Sequence, residues 1–160
     1  MRTIIVYYSF TNTTHRAAHV MMDILKSKGD DVIPVRIRPL AEETNFLKQC
    51  RDAFLSKKPE LYRTLLDVSK FDRVIIGSPV WAFKPAPAIN TYLDKCSTLE
   101  GKEALCFVTY GSGVGKDKAL ESIKVSLEKK GANVTNKLSF QQADGLDKIR
   151  EEFKKSMGIQ

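Results

Sequence analysis

Four hydroxyl side chains crowd one short stretch, Ser9-Phe10-Thr11-Asn12-Thr13-Thr14, between an apolar run and a helical pattern. A helix that begins at Thr13 or Thr14 leaves its first N–H groups without intrahelical partners, and its dipole puts partial positive charge at the same end. Hydroxyl donors added at such a terminus suit a phosphate, with no lysine required. Simple N-capping would need only one Ser or Thr. Within the helix, His15 and Arg16 could screen the phosphate, although His15 also reads as a polar first-turn residue and Arg16 as a solvated one.

Two later stretches carry further candidates. Ser78-Pro79-Val80-Trp81-Ala82-Phe83-Lys84-Pro85-Ala86-Pro87 holds the only tryptophan and is stiffened by its prolines. A flat ring at the end of a strand can stack on a planar ligand or pack beneath its own loop, and Phe83 has the same two options. Tyr110-Gly111-Ser112-Gly113-Val114-Gly115-Lys116 superficially resembles a nucleotide-binding P-loop. It lacks glycine at Tyr110 and Ser or Thr at Asp117, so the first tight turn and the magnesium ligand are both missing. Its glycine spacing is also wrong for a dinucleotide fingerprint, and it follows a late strand. Its glycines either let backbone groups approach a ligand closely or form a flexible turn.

The elements that must position these loops follow from periodicity. Runs rich in branched and aromatic residues predict strands over Thr3–Tyr8, Val32–Arg38, Arg73–Ser78, Glu103–Thr109 and Val134–Phe140. Between them, Ala17, Met21, Ile24 and Leu25 share a helical face before Gly29, and Ala119, Leu120, Ile123 and Leu127 share one before Gly131. Leu146, Ile149, Phe153 and Met157 repeat the pattern near the end. Alternating strands and helices predict an α/β fold, a doubly wound five-stranded parallel sheet with helices on both faces. The second strand carries Pro34, Arg36 and Arg38 and so belongs at an edge, giving the order 2-1-3-4-5 with a crevice between the first and third strands. Residues 39–72 are long for one connection and predict two helical pieces flanking Pro59. The expectation is a single domain over residues 1–160.

Composition narrows the function classes. At 160 residues the chain can bury a core unaided, and no stretch is apolar enough for a membrane span. Met1-Arg2 runs directly into Ile4-Ile5-Val6 without a signal-peptide core, which predicts a cytoplasmic address. Cys50, Cys96 and Cys106 have no metal-ligand or dithiol spacing and read as free thiols. Lys and Arg exceed Asp and Glu by 26 to 19, a net +7 that favours an acidic protein partner. The basic residues are scattered without interleaved aromatics, which argues against nucleic acid.

The three loops together resemble the flavodoxin family, whose phosphate loop reads Ser/Thr-x-Thr-Gly-x-Thr after the first strand. Ser9, Thr11 and Thr14 match, and Asn12 stands where that family has glycine. Asn is among the few other residues that tolerate a left-handed backbone. Gly77 to Trp81 match the family's Gly-Ser-Pro-x-Trp, and the glycine-rich loop falls where that family passes a backbone beside its flavin. The resemblance implies flavin mononucleotide (FMN) as cofactor, with its phosphate on Ser9, Phe10, Thr11, Asn12, Thr13 and Thr14. It places the isoalloxazine ring between Pro79, Val80, Trp81, Ala82 and Phe83 on one side and Tyr110, Gly111, Ser112, Gly113 and Gly115 on the other. The basic net charge and the lack of an acidic wall depart from typical flavodoxins.

Two redox roles follow from that resemblance: electron transfer to a protein partner, and an NAD(P)H-dependent FMN or quinone reductase. Electron transfer is better supported, because no second dinucleotide motif and no interface for a second copy is visible. A phosphorylation-controlled receiver is disfavoured, since Tyr8-Ser9 and Gly77-Ser78 stand where acidic residues are needed. A binding module without flavin is the remaining non-redox reading.

Overall fold

The computed structural model describes residues 1–160. In chain order its elements are β1 (Arg2–Tyr7), α1 (Thr13–Ser27), β2 (Asp31–Arg36), α2 (Phe46–Phe54), β3 (Arg73–Trp81), β4 (Lys84–Pro85), α3 (Pro87–Lys95), β5 (Glu103–Tyr110), α4 (Lys116–Lys129), β6 (Asn133–Gln141) and α5 (Leu146–Ser156).

Five strands pair in parallel in the order β2-β1-β3-β5-β6. This is the expected doubly wound sheet, with β2 at an edge. The sixth strand, β4, was not expected; it pairs antiparallel with the end of β3, Val80 with Pro85 and Trp81 with Lys84. That pairing carries β3 on to Trp81, past the Ser78 end predicted from its apolar run.

Because successive strand side chains point to opposite faces, β1 sends Ile4 and Val6, joined by Tyr8 just beyond its end, to one core and Ile5 and Tyr7 to the other. The first core is closed by Ile89, Tyr92 and Leu93 of α3 and Ile123 and Leu127 of α4. The second is closed by Ala17, Met21, Ile24 and Leu25 of α1 and Ile149 and Phe153 of α5. Each fully buried side chain of this size contributes about 1.5–3 kcal/mol by leaving water. Cys96 and Cys106 are buried free thiols and Cys50 is half-buried; burial pushes the Cys106 thiol up to about 12. No helix is long and apolar enough to cross a membrane.

The connection 39–72 departs from expectation. It contains one helix, α2, and the predicted helical piece after Pro59 is absent. The chain there pairs with the residues following β2: Pro39 bridges Leu61, Leu40 N–H donates to the Glu60 carbonyl, and Tyr62 N–H donates to the Arg38 carbonyl. The physical reason is reach. From that bridge at the C-terminal edge of the sheet the chain must return to Arg73, where β3 starts. Twelve residues of helix would rise only about 18 Å, whereas a seven-residue strand spans about 23 Å.

Candidate functional site

The C-terminal ends of β1, β3 and β5 meet where the connections diverge to opposite faces of the sheet. Past β1 the chain turns at Asn12, whose φ of 64° and ψ of −1° are left-handed, and α1 starts at the next residue. Asn12 holds the N-cap position, yet its side chain caps nothing. The backbone N–H groups of residues 10–14 therefore have no partner within the chain. The four hydroxyls divide their work. Ser9 Oγ accepts from His15 N–H at 3.2 Å, and Thr14 Oγ1 lies 2.7 Å from Thr109 Oγ1, tying α1 to β5. Thr11 and Thr13 lie at the mouth with their hydroxyls 3.4 Å apart.

Arg36, at the end of β2, reaches across β1 into this loop. Its Nη2 donates to the Ser9 carbonyl at 2.7 Å and its Nη1 to Asn12 Oδ1 at 3.3 Å. Below the loop, the Tyr7 hydroxyl and His15 Nδ1 share a 2.7 Å hydrogen bond, and the His15 and His19 rings sit 4.2 Å apart. Burial, then His19 and Arg36, lower the His15 pKa; burial raises that of Tyr7 against the opposing charges of Arg36 and Arg38.

A cleft of about 280 Å³ opens beside the loop. Phe10, Thr11, Thr13 and Thr14 line it from the first loop, Pro79, Val80 and Trp81 from β3, and Tyr110 and Gly111 from the end of β5. Three further lining residues were not anticipated: Phe46, Thr109 and Gln142. Thr109 ends an apolar run next to Tyr110, a signal that could have been used. Phe46 and Gln142 arrive from distant segments with no local motif.

Trp81 is 7% exposed, and three rings meet it nearly edge-on: Tyr8 at 5.4 Å, Phe10 at 6.1 Å and Phe46 at 6.4 Å between centroids. Edge-to-face packing of this kind fixes the orientation of the indole. The Tyr8 hydroxyl is itself anchored, donating to Glu42 Oε1 at 3.0 Å. Ser78 Oγ locks the following turn by accepting from Ala86 N–H at 2.8 Å while donating to the Pro79 carbonyl at 2.9 Å.

The remaining candidates lie outside the cleft. Ser9 and Asn12 form the back of the loop, on the Arg36 side. Ala82 and Phe83 are the two central residues of the β3–β4 hairpin, with φ of 45° and 67°. The turn directs Phe83 against the backbone of Gly115, where an added Cβ would lie 2.8 Å from Phe83 Cα. Ser112, Gly113 and Gly115 continue away from the cleft toward α4. At this rim Lys116 Nζ lies 5.1 Å above the Tyr110 ring and Lys118 Nζ 5.5 Å above Phe83, and neither they nor Lys84 enter any ion pair.

Free N–H donors at one end and flat apolar rings at the other equip this cleft for a ligand that is anionic at one end and planar at the other. The sequence pattern of one protein family, described as Flavodoxin, matches residues 2–144. No curated protein matches the sequence. A flavoprotein from Lactobacillus acidophilus NCFM, solved in complex with FMN, has a TM-score of 0.71 and 23% identity, covering 86% of this chain and 92% of its own. Oxidised flavodoxin 1 from Bacillus cereus has a TM-score of 0.66 and 13% identity, covering 99% of this chain and 98% of its own. The TIGR4 flavodoxin of Streptococcus pneumonia has a TM-score of 0.67 and 14% identity, covering 99% and 96%. At these identities the structural likeness is one of fold.

Proposed function

Because the chain belongs to the flavodoxin family, we propose that it binds FMN in the cleft between β1, β3 and β5 and transfers electrons to a redox protein in the cytoplasm, as a single domain over residues 1–160. The observation that carries this reading is the run of unpaired N–H groups over residues 10–14, set beside a cleft walled by rings. Unpaired backbone donors at a helix N-terminus fit a phosphate without charge from a lysine.

The residues divide the work by position. The N–H groups of residues 10–14 and the hydroxyls of Thr11 and Thr13 hold the phosphate. Trp81, held by Tyr8, Phe10 and Phe46, presents its indole to the ring, and Pro79, Val80, Tyr110 and Gly111 complete the walls. FMN, when bound, supplies the electron-accepting chemistry; the protein positions it and tunes it by packing and backbone hydrogen bonds. Ala82, Phe83, Ser112, Gly113 and Gly115 serve the rim instead. There Lys84, Lys116 and Lys118, lacking carboxylate partners, favour an acidic face on the redox partner.

An absorbance spectrum before and after adding FMN, with titration by flavin fluorescence quenching, tests this. Saturable binding at about micromolar Kd or tighter is expected. Absence of binding leaves the fold intact and overturns the flavoprotein reading. NADPH oxidation by the loaded protein with a quinone acceptor would make it a reductase instead of a carrier.

A further inference from the structure

The side chain at the N-cap of α1 is the unusual feature of this loop. An asparagine caps the first helical turn with its amide oxygen from an extended backbone, as Asn45 does at α2, whereas Asn12 is left-handed and aims its amide elsewhere. Asn12 Oδ1 accepts from Arg36 Nη1 at 3.3 Å, and the first-turn N–H groups stay free. The same guanidinium donates from Nη2 to the Ser9 carbonyl at 2.7 Å, so one side chain grips the loop at both ends of its turn. A lysine could not reach two acceptors in this way, because only the planar fork presents two divergent donors from one rigid group. Arg36 can do this because it pairs in register with Tyr7, the last residue of β1, which aims it past the strand end.

Two consequences follow. Asn12 sits at φ 64°, a region costly for residues other than glycine, and the Arg36 bond offsets part of that cost. In addition, Arg36 forms no ion pair within 4 Å of a carboxylate, although Glu42 lines the hollow beside it, and its charge lies next to the free N–H groups. Arg38, exposed, lines the same hollow of about 260 Å³ behind the loop.

Resting on the FMN reading above, we propose that Arg36 is the positioning residue of the phosphate site. By bonding Asn12 Oδ1 and the Ser9 carbonyl it holds the left-handed turn that leaves the N–H groups to a phosphomonoester, and it adds positive charge behind the anion in a loop without glycine. Selectivity for a phosphorylated flavin over an unphosphorylated one therefore resides partly in a β2 side chain outside the loop.

The test compares FMN with riboflavin, which has the same ring and side chain but no phosphate, by fluorescence quenching with wild type, R36Q, R36K, N12G and the N12G/R36Q double variant. R36Q is expected to weaken FMN by about tenfold and riboflavin by less than about twofold, through the loosened turn at Asn12 together with the lost charge behind the anion. In R36Q the left-handed Asn12 loses its tie, whereas glycine holds that turn unaided, so N12G/R36Q should lie within about threefold of N12G. R36K, which keeps the charge and loses the fork, should fall between; it carries the test if R36Q does not fold. Equal losses for FMN and riboflavin, or an FMN affinity unchanged in R36Q and R36K, overturn the proposal while leaving the FMN site standing. A wild-type protein that binds no FMN overturns both.

Discussion

Gly77 leaves no room for a side chain, because an added Cβ would lie 2.2 Å from the Phe107 ring on the neighbouring strand. That ring is fully buried and has nowhere to retreat. Gly77→Ala should cost about 3 kcal/mol by overpacking, read as a lowered urea midpoint. An unchanged midpoint would show that the two strands separate readily. His15 gives a pH-dependent prediction. Its folded pKa is lowered from the ordinary 6.5 by burial first, then by His19 and Arg36, with Tyr7 sharing its Nδ1. Between the folded and unfolded pKa values the unfolded chain binds more protons, so the stability contribution is complete above the unfolded value and is lost as pH falls toward the folded one. Urea unfolding of the FMN-free protein at several pH values from 7.5 down to 5, approximate bounds set by the ordinary histidine pKa, should show a shallower acid loss for His15→Gln than for wild type. Parallel profiles would refute the assignment to this side chain.

At the scale of elements, the β3–β4 hairpin stores strain that the sequence hides. Two-residue hairpin turns with positive φ at both positions favour Asn-Gly, yet here Ala82 and Phe83 occupy them. Ala82→Gly relieves the first position, and unfolding by urea should show a gain of about 1 kcal/mol, since a left-handed non-glycine residue costs about that much. A loss would mean that the Ala82 methyl group packs against something the turn needs. Nothing in an Ala-Phe pair announces this turn, which is why β4 escaped the reading of the sequence. The parallel strands, by contrast, were legible: unbroken branched runs such as Val74–Ile76 are what a strand buried on both faces must look like. The loop over residues 9–14 was equally legible, because a helix start after a strand is a local pattern. Phe46 and Gln142 were not, since each enters the cleft through the tertiary path of a long connection or a late turn. The same holds for the stretch after Pro59, where a pairing with Pro39 overrode its local helical pattern.

For the whole molecule, the cleft is built from the ends of three central strands together with Phe46 of α2 and Gln142 beyond β6, so its walls come together only when both faces of the sheet are packed. A ligand that needs all of these parts binds the folded chain and not the unfolded one. Its binding energy is then added to global stability as RT ln(1 + [L]/Kd), about 2.7 kcal/mol at a hundredfold excess over Kd. FMN at that excess should therefore raise the urea midpoint of the entire cooperative transition, monitored by far-UV circular dichroism, while the slope of the transition stays fixed. Riboflavin at the same concentration should give a smaller shift, because the N–H groups of residues 10–14 find no phosphate. If FMN binds yet leaves the midpoint where it was, the loops must form their site in the unfolded chain as well. That outcome would contradict a cleft assembled from strand ends separated in sequence by the length of the sheet's crossovers.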